Sequence, residues 1–236
     1  MEDEKKISRV LVASPVSDHH AYCYEEYRDA LKALTYPHHD IFLVDNSKDN
    51  TFFKRIAQDF PSTKIPYVES VKDRLTISRN ILREKAIKEG YDYLFCLDQD
   101  TIPPHDIIEK LLSHHKEIVS GLYLNPFTRN NETKIKPVAW VYTRDDSTKL
   151  VFVREEVLHS GQCVPVNLVG TGCILIHRDV LEKITFRTEP DKTGVDDNFF
   201  CIDVQKLGYT IWLDTSARCK HLLRNTQKWG MRDLKT

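Results

Sequence analysis

An apolar run that ends in two acids dominates the middle of this chain: Tyr91-Asp92-Tyr93-Leu94-Phe95-Cys96-Leu97-Asp98-Gln99-Asp100-Thr101-Ile102-Pro103-Pro104. The run reads as a buried strand, and the proline pair stops its ladder. Carboxylates at i and i+2 point the same way on a strand, and a turn there lets both converge on one hard cation. The carboxyl ends of central strands are where α/β sheets bind ligands. Taken alone, Asp98-Gln99-Asp100 is equally a solvated acidic turn, so the rest of the chain has to decide.

A chain of 236 residues suits one large α/β domain. With 41% hydrophobic and 29% charged residues it is expected to fold rather than stay disordered. The formal net charge of -1 gives no electrostatic reason for a nucleic-acid partner. No apolar run has the length of a membrane span and Met1-Glu2-Asp3-Glu4-Lys5-Lys6 is unlike a signal peptide, so a cytoplasmic protein is expected. The six cysteines form no C-x-x-C pair and read as reduced core thiols.

Strands and helices alternate through the first half. Val10 to Ser14 predicts a strand closed by Pro15, and Tyr24, Tyr27, Leu31 and Leu34 carry a helical period. Ile41 to Val44 predicts a second strand running into Asp45-Asn46-Ser47-Lys48-Asp49-Asn50, and Ile65 to Val68 a short edge strand that tolerates Pro66. A long helix from about Val71 to Glu89 ends at Gly90 and leads into the acidic strand. Beyond it, Pro104 opens a helix, Glu117 to Leu124 predicts a strand, and Pro137–Tyr142 with Leu150–Val153 a hairpin. Val164 to Ile176 is extended around Gly170-Thr171-Gly172. Asp196-Asp197 opens a helix ended by Gly208, and Tyr209 to Leu213 is a final strand. The pattern implies a mostly parallel sheet with helices on both faces and a mixed-sheet extension after it.

The ordered motifs resemble nucleotide-sugar glycosyltransferases of the GT-A fold, particularly family-2-like inverting enzymes. Val44-Asp45-Asn46-Ser47-Lys48-Asp49 is similar to that family's V-D-D-G-S-x-D turn, and Asp98-Gln99-Asp100 to its D-x-D signature. Gly170-Thr171-Gly172 followed by Cys173 to Arg178 resembles the acceptor-side strand. Asp196-Asp197, Phe200-Cys201 and Gly208-Tyr209 resemble the E-D…F-C…G-Y helix, with His221 following. Two departures stand out: Asp196 replaces the usual Glu, and Phe199 the usual second Asp. The resemblance implies an α/β GT-A (Rossmann-like) fold: a central mostly parallel mixed sheet flanked by helices, with a smaller antiparallel acceptor-side extension. Residues 1–103 would be a nucleotide-sugar-binding half, 104–217 an acceptor-binding half and 218–236 a basic C-terminal tail.

It further implies metal-dependent transfer of a sugar from a nucleotide diphosphate to a hydroxyl acceptor on a glycan or glycoconjugate. A UDP-sugar is the favoured donor, with GDP- and dTDP-sugars also compatible. Asp98, Asp100 and His221 would hold a divalent metal; oxygen ligands suit Mg²⁺ or Mn²⁺ and the imidazole favours Mn²⁺. Asp45 would take the base, Ser14 and Pro15 would line it, Arg79 would meet the donor, and Asp98 would also reach the ribose. Gly172 would let the acceptor approach the backbone. Asp197 would be the general base, with Asp196 binding acceptor or supporting it. The tail has six Lys or Arg against one acid, and suits an anionic acceptor, a membrane surface, a lid over the diphosphate or a solvated terminus. Competing readings are a non-catalytic nucleotide-sugar or glycan-binding module and a sugar nucleotidyltransferase. Ser14-Pro15-Val16-Ser17-Asp18 lacks the glycine-rich, basic loop the latter uses, and no H-E-x-x-H cluster supports a zinc hydrolase.

Overall fold

Apolar residues at a period of two give the first strand two buried faces, and the fold grows from that. In the computed structural model, which describes residues 7–146, 148–189, 196–223 and 228–229, Val10 and Val12 face one apolar core and Leu11 and Ala13 the other. The first half runs β1 (Val10–Val16), α1 (Tyr24–Lys32), β2 (His39–Asp45), α2 (Thr51–Ile56), β3 (Ser62–Lys64), α3 (Val71–Lys88) and β4 (Tyr93–Leu97). It continues through β5 (Thr101–Ile102), α4 (Ile107–Ser113), β6 (Ile118–Leu122), β7 (Leu124–Arg129), β8 (Glu132–Pro137), β9 (Ala139–Tyr142) and β10 (Leu150–Phe152). The last part comprises α5 (Glu155–Leu158), β11 (Cys163–Val166), β12 (Leu168–Val169), β13 (Cys173–His177), α6 (Arg178–Leu181), α7 (Asp196–Lys206), β14 (Ile211–Arg218), β15 (Lys220–Leu222) and β16 (Lys228–Trp229).

Eight strands form the main sheet in the order β11-β14-β6-β13-β4-β1-β2-β3. Pairs β1–β2, β1–β4, β2–β3 and β6–β14 are parallel; β13 is antiparallel to both β4 and β6, and β11 to β14. Helices α1, α2 and α4 cover one face, and α3, α6 and α7 the other. The strand order reverses at β1, which has β2 on one side and β4 on the other, so the carboxyl ends of β1, β2 and β4 open the crevice where such sheets take ligands. The small antiparallel sheets β10-β9-β12 and β7-β8 form the predicted extension, and a third small sheet, β16-β15-β5, ties the C-terminal segment to the acidic turn.

Three local expectations change. Pro15 does not close β1, which continues to Val16 opposite Asp45. Pairing with β4 stops at Ala13, so Pro15 has a neighbour on one side only and its missing N–H is tolerated. The edge strand is Ser62–Lys64 rather than 65–68: Ile65 N–H makes the last ladder bond to Asp45 O, and Pro66 cannot donate the next. The segment after Leu122 folds back as the hairpin β7–β8 around Asn130 and Asn131, both with positive φ, which asparagine tolerates.

The second face rests on α7, whose Phe200 is fully buried and stacks on Phe186 at a centroid distance of 5.6 Å. Phe200→Ala leaves a cavity against α3 and α7 and is expected to lower stability by about 3–5 kcal/mol in urea denaturation. A loss below 1 kcal/mol would mean that α7 does not anchor this face.

Candidate active site

The acidic strand ends in a turn. Thr101 N–H bonds to Asp98 O, and Asp98 N–H is held by Gly172 O at 3.0 Å, so the two carboxylates leave the backbone in different directions. Asp98 turns to Arg79: its Oδ1 lies 3.2 Å from an Arg79 terminal nitrogen. Asp100 turns to the C-terminal segment, where its Oδ2 is 3.2 Å from His221 Nε2. Strand β15 sets that approach, because His221 pairs with Thr101 and Leu222 N–H bonds to Asp100 O.

Arg79 is the centre of the arrangement. It projects from the buried stripe Arg79, Leu82 and Ala86 of α3 and is 2% exposed. Its Nε donates to Asp196 Oδ2 at 2.6 Å, and the nitrogen that reaches Asp98 stands 3.9 Å from Asp197 Oδ1. Burial alone would lower its pKa; Asp196, Asp98 and Asp197 outweigh that and keep it charged. One guanidinium thereby gathers the acidic turn and the acid pair that opens α7.

The three carboxylates differ. Asp196 is 2% exposed and fixed on Arg79. Asp197 is partly open and accepts a hydrogen bond from Thr171 Oγ1 at 2.5 Å. Burial raises its pKa to about 6, with repulsion from Asp196 and Asp98 adding to the rise and Arg79 opposing it. Burial also raises Asp98, against the pull of Arg79. Asp100 moves the other way: burial pushes its pKa up, but the hydrogen bond and charge of His221 hold it below the usual carboxylate range.

His221 is mostly buried, and its Nδ1 lies 2.9 Å from Leu124 O. A carbonyl only accepts, so Nδ1 carries a hydrogen. Burial opposes a second one on Nε2, but the facing Asp100 carboxylate favours it and raises the imidazole pKa. Loss of the Nε2 proton would leave the tautomer of a metal-ligating imidazole, oriented by a backbone carbonyl. Asp100 and His221 therefore fit two positions of a divalent site. Asp98 does not complete it, being held by Arg79, and among the described residues no three His, Cys, Asp or Glu gather into a metal cage.

The other expected residues form the nucleotide side. Asp45, at the end of β2, has no exposed surface; Ser47 N–H and Oγ–H donate to its Oδ1, and Lys64 Nζ lies 2.9 Å from its Oδ2. It builds the turn, and any part in base binding runs through Ser47 and Lys64. Ser14 and Pro15 are buried in β1, with the Ser14 hydroxyl bonded to Tyr27. The open space lies just beyond, a cavity of about 440 Å³ whose walls include Ser17, His20, Asn46, Lys48, Tyr67 and Arg74. Gly172 is fixed by crowding, since a Cβ there would sit 2.8 Å from Tyr123 Oη and 3.0 Å from Asp98 Oδ2.

Several residues were not foreseen. Gln99 is buried, takes Ser17 N–H on its Oε1 and donates from Nε2 to His20 O, tying the acidic turn to the cavity wall. His20 Nε2 stands 3.7 Å from Asp100 Oδ2. Tyr123 accepts from Gly172 N–H and lies edge-on to His221, with its pKa pushed up by burial and by Asp197 and Asp98, so it stays a phenol. The unassigned position inside D-x-D pointed to Gln99; Tyr123 and His20 carried no pattern.

A mixed sheet of this order, with acids gathered at the carboxyl end of β4 and the start of α7, has the architecture of the GT-A fold. The model of the family "Glycosyl transferase family 2" matches residues 24–185, more than half of the chain, and the protein belongs to that family. Among solved structures it is similar to A197 from STIV, with a TM-score of 0.54 and 17% identity over 95% of this chain and 91% of that one. It is also similar to S. aureus TarS, at TM-score 0.51 and 13% identity over 87% of this chain and 35% of that one. The 1–349 portion of TarS gives 0.50 and 14%, covering 87% and 57%. The chain thus spans about a third of TarS, and at these identities the likeness is one of fold. No curated protein sequence matches it.

Arg79→Gln leaves three carboxylates around a buried neutral group. We expect a loss of about 3–5 kcal/mol at pH 8, and a smaller one at pH 5 as protonation relieves the repulsion, read by urea denaturation at both pH values. An equal loss at both would show that Arg79 acts through packing alone.

Proposed function

We propose that this enzyme transfers a sugar, with inversion and with help from a divalent metal, from a nucleotide diphosphate onto a hydroxyl of a glycan or glycoconjugate. The observation that carries the reading is the Arg79 bridge: it brings Asp197, a carboxylate with a raised pKa, to the same crevice as the Asp100–His221 pair. The nucleoside occupies the 440 Å³ cavity, a UDP-sugar being the favoured donor, with Ser47 and Lys64 relaying Asp45 and with Tyr67 offering a ring for stacking.

Asp100 and His221 hold the metal, Mn²⁺ in preference to Mg²⁺ because of the imidazole. A bound cation would neutralise the charge that gathers on the diphosphate leaving group. Asp98 keeps Oδ1 on Arg79 and presents Oδ2 towards the donor. Asp197 Oδ2 takes the acceptor hydroxyl proton, while Thr171 holds its Oδ1 and Asp196 keeps Arg79 in place. The space beside Gly172, where an approach of the acceptor was expected, is filled by Tyr123 and Asp98, so this glycine serves their packing. All six cysteines are free, which suits a cytoplasmic enzyme, and no helix among the described residues is long and apolar enough to cross a membrane. The basic tail beyond Leu223, where a membrane or anionic-acceptor contact was expected, lies mostly outside the described residues.

A base must be ionised to work, so transfer is expected to fall as the pH drops through about 6 and to plateau above it. Asp197→Asn should bind nucleotide as the parent does and lose transfer by about 100-fold or more. The carboxyl holds a proton in the fold that the unfolded chain has already released between about pH 4 and 6, so its ionisation costs stability above that window. The variant should therefore melt no lower than the parent at pH 8. Near-normal transfer by Asp197→Asn would remove Asp197 from the role of base.

Calorimetric titration of UDP, GDP and dTDP with Mn²⁺ and then with EDTA tests the donor site. One nucleotide should bind with metal and lose affinity with chelator, and His221→Ala should abolish most of the metal-dependent part. Absence of binding under both conditions would sink the donor assignment.

A further inference from the structure

One aromatic cluster remains unused by this mechanism. Phe127 of β7, Trp140 of β9 and Phe152 of β10 form a triangle, with ring centroids 5.8 Å (127–140), 5.0 Å (127–152) and 5.3 Å (140–152) apart. All three are half-buried, and among the described residues none belongs to or packs against either apolar core. Clustered aromatic rings that keep part of their surface open, and do not fill a core, mark contact surfaces.

Their position ties them to the site. Trp140 is the cross-strand partner of Leu168 in β12, and the chain runs on from β12 to Thr171, whose hydroxyl holds Asp197. Next to Trp140, Val138 at the bend before β9 has its Cγ1 2.8 Å from where a Gly170 Cβ would be, against Tyr123. At the other end of β9, Tyr142 is exposed. Phe152 is the cross-strand partner of Trp140, which widens the floor. The hairpin adds a polar rim, since Asn125 and Lys136 pair opposite each other on the face that also carries Phe127 and its partner Lys134.

We propose that Phe127, Trp140 and Phe152 form an acceptor subsite that stacks on a sugar ring of the acceptor next to the one receiving the new bond. A pyranose has a flat C–H face and a rim of hydroxyls, and an aromatic floor with amide and ammonium donors at its edge matches both. The short path from the partner of Trp140 along β12 to Thr171 and Asp197 favours a sugar of the acceptor over an unrelated apolar partner. The inference rests on the glycosyl-transfer reading and makes the acceptor a chain of at least two sugars.

The test is a screen of the intact protein on an array of immobilised glycans, followed by fluorine NMR of 5-fluorotryptophan-labelled protein with soluble forms of the glycans retained. The expected result is that a bound glycan shifts the Trp140 line, identified by its loss in Trp140→Phe. Trp140→Leu, which keeps bulk without a flat ring, and Phe152→Ala should each weaken binding roughly tenfold while unfolding cooperatively in urea. Three results would overturn the subsite: no glycan retained, a Trp140 line that does not move, or affinity indifferent to Trp140→Leu. A Trp140 line moved by lipid vesicles or an apolar peptide but by no glycan would give the surface to another partner. Nucleotide titration of the same sample separates the readings: normal nucleotide binding without glycan binding refutes the subsite alone, and the reverse refutes the donor site alone.

Discussion

A guanidinium taken out of water needs its charge met, and here three carboxylates from two distant parts of the chain meet that of Arg79. They do so through Nε and one terminal nitrogen; the other is buried without a hydrogen-bond partner among the described residues. The pairing constrains all its members. Asp196 is committed to it, whereas Asp98 and Asp197 each keep surface open to the crevice. A single buried cation thus sorts chemically identical side chains into one that supports and two that remain available. It also restrains the pKa rise that burial and crowding impose on Asp197, leaving it near 6 rather than protonated at neutral pH.

The opposite wall is built by hydrogen bonds to backbone rather than by charge. Gln99 spans from the acidic turn to residues 17 and 20, and β15 lies along β5 so that His221 meets Asp100. Leu124 O fixes the imidazole tautomer, which makes β7, otherwise part of an outlying hairpin, a support of the site. Tyr123 joins the two walls, its hydroxyl under Gly172 and its ring against His221.

What could be read from the chain follows the physics of each element. Strands β1, β2 and β4 and the span of α3 were legible because period-two and helical spacing report burial directly. The half-buried edge strand β3 has no apolar pattern and was placed three residues too late. Asp98 and Asp100 were visible as charges at the end of an apolar run, where charge needs a reason, whereas Arg79 and Asp197 were reached only through the likeness to the family. The division of labour between Asp98 and Asp100 was not legible: it depends on a four-residue turn, Asp98 to Thr101, that sends the two carboxylates to different partners. The burial of Asp45 was hidden for a similar reason, as Lys64 arrives from another strand. The hairpin at Asn130-Asn131 had a local signal, two residues that accept positive φ, whereas Tyr123 and the Phe127–Trp140–Phe152 cluster exist only through long-range packing.

The tie between β5 and β15 has a temporal side. Ribosomes deliver this chain from β1 onward, and β14, the last strand to enter the main sheet, ends at Arg218, three residues before His221. Every earlier intermediate has the acidic turn without its imidazole partner. The acidic turn therefore meets its imidazole partner only after all eight strands of the main sheet have been made, and a chain cut before β15 holds only one side of the Asp100–His221 pair on which donor activation is proposed to depend.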